Sequence, residues 1–368
     1  MILAAIILLT SALGCLAAEG STSDGKNIEG MALFGSEILY TFKYEIAIVA
    51  FLVVYFINYS NGFKKNQALA KRWMSKQLSL FQDQFSLVGD GEGHSLLKDG
   101  PADYIFYLSG RVNCKYVHGK VKLKPRHDLV IYIWKTISNL IGNGKEMLDT
   151  VTFDVTMNDN EYENFVFAVV HKTRTKEAKE SNFAVSKFSK QGISSLLPSS
   201  FNIFSEAAEI TDVLLNSKVV ETIKKYESQL LEIVISDMPR VKPEKDLKEN
   251  YPKRLRVTFK LPQDNQLDST CELSELVFFL IDALPKNCAS FRADTKKRLR
   301  ANREELRRSY QKQLELERIE EAQKKRDEKK KAEKERIAKL SPEEQRKHEE
   351  RERQKELRKR QKKMMVRG

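Results

Sequence analysis

The side chains whose type and spacing could do chemistry are cationic and gather at the C-terminal end. Arg298, Arg300, Arg303, Arg307 and Arg308 open the series, Lys329, Lys330, Lys331, Lys334 and Arg336 continue it, and Arg358, Lys359, Arg360, Lys362 and Lys363 form its densest cluster. Ammonium and guanidinium groups at this density neutralise phosphates, and the counterions released make such binding salt-sensitive. The charge count puts the whole excess there. Lys and Arg total 64 against 51 Asp and Glu, a net +13. Residues 292–368 hold 30 basic and 17 acidic side chains, the same excess of 13, so residues 1–291 are neutral. This excludes a uniformly basic nucleic-acid-binding domain. No run of aromatic side chains offers a stacking platform for single strands. Structured RNA, read through its backbone, suits the pattern better. A merely solvated helix, or one that touches acidic lipid or cytoskeleton, is the alternative.

Other chemistry finds little support. His94, His118, His127 and His171 fall on different elements, with no H-E-x-x-H, no paired carboxylates, no G-x-S-x-G and no Walker lysine. The loop Gly89-Asp90-Gly91-Glu92-Gly93-His94 lacks the Gly-Lys-Ser/Thr that a phosphate cradle needs. Cys15, Cys114, Cys271 and Cys288 form no C-x-x-C pair, so neither a zinc site nor a disulfide scaffold follows. No enzyme activity, metal or cofactor is expected.

The cations need a support. From about Ser290 to Lys339 there is neither Pro nor Gly, and strong helix formers dominate. Acid–base pairs four apart, such as Glu304 with Arg308, add to the helix. Ser341-Pro342-Glu343-Glu344 reads as a restart with Ser as N-cap, so two long helices with a joint near Leu340 are expected. A coiled-coil seam is missing, because after Leu299 and Leu306 the heptad steps fall on Gln313 and Glu320.

The support in turn needs an anchor. Ile2–Leu13 followed by small residues reads as a signal peptide, residues 1–18, and residues 19–44 as a short Gly/Ser-rich lumenal linker. Residues 45–63 read as a transmembrane helix. Ile46, Val49, Phe51, Leu52, Val53, Phe56 and Ile57 lie in its uncharged stretch. Eighteen residues at 1.5 Å each cover about 27 Å, enough for the hydrocarbon core. Lys64, Lys65, Lys71 and Arg72 follow the span, which puts the N-terminus in the lumen and the C-terminus in the cytosol. Asn58-Tyr59-Ser60 is a glycosylation pattern at the cytosolic face, where it should be unused.

Residues 64–290 read as a cytosolic α+β domain, and residues 291–368 as the basic helical tail. Ala68–Phe85 looks helical. Strands are expected at Tyr104–Val112, Tyr116–Lys124, Thr150–Met157, Leu231–Ser236 and Arg254–Leu261, with Phe165–His171 returning after the Asn158-Asp159-Asn160 turn. Leu129, Ile133, Ile137, Leu140 and Ile141 form an amphipathic helical stripe. Ser269 and Glu272 suggest a capping box, opening a helix that Pro285 should end.

Several passages together carry a resemblance. They are Tyr107-Leu108-Ser109-Gly110-Arg111, Val155-Thr156-Met157-Asn158-Asp159 with Val166-Phe167-Ala168-Val169, and Leu197-Pro198 leading to Ser205-Glu206 and Glu209-Ile210-Thr211-Asp212. Arg256-Val257-Thr258-Phe259, Arg298-Leu299-Arg300-Ala301-Asn302-Arg303 and Ala332-Glu333-Lys334-Glu335-Arg336-Ile337 continue the order. Behind a signal and one span, the chain resembles the calumin family, the coiled-coil-containing subunit of the PAT (protein associated with translocon) complex. The resemblance implies an endoplasmic reticulum membrane protein beside the Sec translocon channel. Its implied partners are ribosomal RNA, an Asterix-like small membrane protein and nascent multi-pass membrane proteins, whose insertion it would assist. Family members commonly carry a long acidic lumenal segment linked to calcium. Here residues 19–42 hold only Glu19, Asp24, Glu29 and Glu37 against Lys26, which argues against calcium buffering.

Overall fold

A computed structural model describes residues 42–141, 147–158, 162–192, 194–243, 251–262 and 267–338, with scattered positions between 343 and 361. The expected signal peptide and nearly all of the lumenal linker lie outside the described residues.

Helix α1, Lys43–Gln84, is one 42-residue element. Its first half is apolar and exposed; from Gly62 onward one stripe is buried, through Asn66, Ala70, Trp73, Met74, Gln77 and Phe81. The spacing of three and four is that of a helix with one face on a core. The expected span and the expected helix at Ala68 are therefore a single rod, because no Pro or helix-ending turn separates them.

The rod packs on a sheet of ten strands, all paired antiparallel. In chain order these are β1 Leu87–Val88, β2 Leu97–Lys98, β3 Asp103–Ser109, β4 Cys114–Lys122, β5 Thr150–Met157, β6 Phe167–His171, β7 Lys190–Gly192, β8 Phe201–Ser205, β9 Leu230–Ser236 and β10 Arg254–Lys260. Their spatial order is β1-β3-β4-β5-β10-β9-β6-β8-β7, with β2 on β3. The expected return of Phe165–His171 beside Thr150–Met157 does not occur. Strand β5 is flanked by β4 and β10, while β6 lies between β9 and β8. Asn158 follows a strand whose two edges are already taken, and Asp159 and Asn160 lie outside the described residues.

The main core lies on one face of the sheet. Trp73 and Phe81 of α1 meet Phe106, Phe153 and Phe278, with Trp73 and Phe106 centroids 5.3 Å apart. Gly119 makes room for this cluster, since a Cβ there would lie 1.9 Å from Phe106 Cζ. The Trp73 indole N–H and the Gln77 amide both donate to Thr270 Oγ1, at 3.1 and 2.8 Å. A second, smaller core covers the opposite face around β6, β8 and β9. It joins Val166, Ala168, Val170, Phe204 and Val234 to Ala178, Ala184, Val185, Leu306 and Tyr310.

Helix α2 is Leu129–Leu140, capped by Asp128, whose side chain accepts from the Ile131 N–H at 3.0 Å. Short helices α3 Thr175–Ser181 and α4 Phe183–Phe188 precede β7. Helices α5 Ala208–Leu214 and α6 Ser217–Lys225 precede β9, and α7 is Ser269–Ala289. The expected capping box does not form. Ser269 Oγ donates to Gln229 Oε1 at 2.9 Å, and Glu272 pairs with Lys225 at 2.6 Å. Pro285 lies inside α7 rather than ending it. The turn beyond it buries Cys288 in the main core, and that packing offsets the one backbone bond a proline removes. Helix α8, Ala293–Ala338, is 46 residues long.

Candidate polyanion-binding helix and membrane anchor

Helix α8 divides at Tyr310. Before it, Leu299, Arg303, Leu306 and Tyr310 lie on one face and are buried. Beyond it, Leu314 is partly covered, and the other side chains as far as Ala332 are open to solvent. The body holds the base of the helix by specific contacts. Glu209 accepts from the Arg292 N–H at 2.9 Å and from the Thr295 hydroxyl. Those two hydrogen bonds, the Thr295 one foremost, hold its carboxyl below the usual range. The Tyr310 hydroxyl donates to the Pro243 carbonyl at 3.2 Å.

At the centre of the base, Arg303 is 5% exposed. Its Nε and Nη2 donate to the two oxygens of Asp237, both at 2.9 Å, and Nη1 donates to Glu206 Oε1 at 2.5 Å. Asn302 adds a bond to the same Glu206 oxygen at 2.7 Å. Burial works against the charged guanidinium. The hydrogen bonds and attraction of Asp237, then of Glu206, outweigh it and hold its pKa above the usual range.

The predicted site residues therefore separate. Arg303 is buried inside the fold and presents no surface to a polyanion, its guanidinium donating to Asp237, Glu206 and the Leu299 carbonyl. Arg298 donates to the Glu206 carbonyl at 2.8 Å, and Arg300 pairs with Glu163. Arg308 pairs along the helix with Glu304 at 3.4 Å, and Arg307 is exposed. Lys329, Lys330, Lys331 and Arg336 are exposed on the projecting part of α8, whose backbone also carries Lys334. Arg358 is exposed and helical, whereas Lys359, Arg360, Lys362, Lys363 and the expected joint near Leu340 lie outside the described residues. Sequence reasoning missed Glu206 and Asp237. The signal that could have found them is the stripe of Leu299, Arg303, Leu306 and Tyr310, which places one cation on the apolar face of the helix.

Toward the other end of the chain, α1 is long and apolar enough to cross a membrane. Ile46, Val49, Phe51, Leu52, Val53, Phe56 and Ile57 are all exposed there. Asn58 has a structural task, since its amide donates to the carbonyls of Arg126 and His127 at 3.2 and 3.3 Å. Among the described residues, Asp90, Glu92 and His94 are a grouping of metal-ligand types. Asp90 accepts from the Glu92 and His94 N–H groups at 2.9 and 3.1 Å, which closes the glycine-rich turn. Cys288 is buried, and burial pushes its thiol up to about 12, the opposite of an activated nucleophile.

The matched stretch of the chain takes in all of these parts. Residues 41–359 match the family model described as PAT complex subunit CCDC47. The chain belongs to the PAT complex subunit CCDC47 family. The human CCDC47 subunit is 31% identical over 308 residues, which cover 77% of this chain and 61% of that one. The zebrafish (Danio rerio) subunit is 30% identical over 305 residues, with the same coverage. A fission yeast relative (Schizosaccharomyces pombe), named as the UPF0674 endoplasmic reticulum membrane protein C2G5.01, is 28% identical over 337 residues. Those residues cover 88% of this chain and 87% of the relative. The chain thus spans about three fifths of the vertebrate CCDC47 subunits and most of the fission yeast protein. The CCDC47 match runs from the start of α1 past the end of α8, so the apolar helix, the sheet and the basic helix all lie within the matched stretch.

Proposed function

We propose that this protein is a non-enzymatic, ribosome-associated subunit of a PAT-like complex in the endoplasmic reticulum membrane. It acts beside the Sec translocon channel, with an Asterix-like small membrane protein, and assists the insertion of nascent multi-pass membrane proteins. The first half of α1 is the span, with the N-terminus lumenal and the sheet and α8 cytosolic. Ribosomal RNA is the polyanion that the projecting part of α8 grips.

One observation carries this reading: α8 is fixed to the body up to Tyr310 and then projects with its lysines exposed. The 28 residues from Gln311 to Ala338 reach about 42 Å at 1.5 Å per residue. Few large apolar side chains accompany them, so burial against a protein partner would contribute little. A salt-sensitive grip on phosphates is a role that the exposed lysines and arginines of α8 fit.

Orientation is tested by protease digestion of sealed microsomes. Cleavage beyond Tyr310 without detergent is the expected result, and protection of that segment contradicts the cytosolic placement. Flotation of the full chain's cytosolic part with acidic liposomes, equal to its ribosome binding, would instead favour a tether to lipid.

A further inference from the structure

Helix α2 carries its apolar side chains on the outside. At 100° per residue, Val130, Ile133, Trp134, Ile137, Leu140 and Ile141 share one arc, while Lys135, Thr136, Ser138 and Asn139 lie on the remaining side with Ile131 and Tyr132. An amphipathic helix of a soluble domain turns such an arc to the core. Here the arc is open: Trp134 is 72%, Leu140 89% and Ile141 69% exposed. Within α2 only Leu129 is buried. The polar side is open as well, with Lys135, Thr136 and Asn139 exposed, and Ile131, Trp134, Lys135 and Ser138 border an open cleft shared with Leu123 and Lys124 of the body. A contiguous exposed apolar arc beside a polar one is the arrangement of a helix that lies in the plane of a membrane surface.

The place of α2 says which hydrocarbon. The segment entering it is fastened to α1 where the uncharged stretch ends. Asn58 holds the Arg126 and His127 carbonyls, the Tyr59 and His127 rings meet edge-on at 5.6 Å, and Gly62 lets the Arg126 backbone approach. A Cβ on Gly62 would sit 2.3 Å from the Arg126 carbonyl oxygen. Lys64 and Lys65 follow within one turn. The root of α2 is therefore level with the cytosolic end of the span, where lipid headgroups meet acyl chains. Twelve residues reach about 18 Å, too short to cross a bilayer. Tyr132 and Trp134 are of the types that favour the interface.

We propose that α2 is an in-plane membrane helix, its apolar arc seated in the same leaflet through which the cytosolic end of α1 passes. The inference rests on the span reading of α1 and adds a second contact with the bilayer. Two contacts fix the tilt of the body and the direction in which α8 projects.

The chain's tryptophans, Trp73 and Trp134, provide the test. Trp73 is fully buried in the aromatic core and serves as an internal reference. The full chain is placed in nanodiscs of phosphatidylcholine brominated on the acyl chains, whose quenching acts only at short range. Emission from Trp134 should be lost relative to unbrominated lipid, and Trp134→Phe should abolish that loss while the Trp73 signal persists. A chain carrying both Val53→Trp and Trp134→Phe reports the span separately. Quenching from position 53 but not from Trp134, with Trp134 open to aqueous iodide, overturns the inference and leaves the span intact. Quenching from neither position overturns both.

Discussion

Arg303 holds both oxygens of Asp237 at 2.9 Å, and this bidentate pair joins helix α8 to the end of strand β9 inside the fold. The geometry suits a planar guanidinium and no other side chain. The helix that projects its cations outward is thus rooted by a cation turned inward.

Removing that root is expected to be costly. Arg303→Met leaves Asp237 and Glu206 buried without their counterion, a loss of about 3–5 kcal/mol. Denaturant unfolding of the full chain in detergent measures it. Lys329→Gln, on the exposed part of the helix, should shift stability by less than about 0.5 kcal/mol. Similar losses for the two variants would contradict the division of α8 at Tyr310.

Polyanion binding should show the reverse order. Exchanging Lys329, Lys330 and Lys331 for Gln removes three exposed cations without touching the base. The slope of log affinity against log salt should fall by roughly one for each phosphate that is no longer neutralised. Ribosome binding titrated at several salt concentrations reads this directly. An unchanged slope would place the phosphate-binding cations elsewhere.

The attachment of α8 should respond to acid. Glu209 is held below its ordinary value of 4.5 by the Thr295 hydroxyl and the Arg292 N–H. A carboxyl depressed in the folded state stabilises fully above its unfolded value, and that contribution is lost as pH falls through the folded one. Thermal midpoints of the chain should therefore drop below about pH 4.5 more steeply than those of Glu209→Gln. Parallel curves would deny Glu209 this role.

How much of this was legible in the sequence depended on periodicity. Strands β4, β5 and β10 were found to within two residues at either end, because alternation with one buried face is a strong local signal, and β3 to within three as a continuous apolar run. Strand β3 stops early because Gly110 and Asn113 both take positive φ. The neighbours of β6 could not be read locally, since its partners β8 and β9 come later in the chain than the turn that suggested a return. Arg303 looked like its neighbours because cationic side chains are alike in composition; only the buried stripe sets it apart. The α2 stripe was visible, but which way it faced was not, because periodicity cannot tell a core from a membrane.

The close approach at Gly62 should be intolerant. Gly62→Ala puts a methyl 2.3 Å from the Arg126 carbonyl oxygen, and that backbone is also tethered through the Arg126 pair with Asp149 at 2.6 Å. Overpacking of this kind costs about 1–3 kcal/mol. Unfolding of the variant in detergent reads the cost, and a neutral result would mean that α1 and the α2 root part easily.

The grip of α8 on the ribosome is tested most directly by ending the chain after Tyr310, which keeps Leu299, Arg303 and Leu306 in place. Cosedimentation with ribosomes from detergent extracts, at low and high salt, compares it with the full chain. The account requires salt-sensitive cosedimentation of the full chain and its loss on truncation. Undiminished cosedimentation of the truncated chain would contradict it.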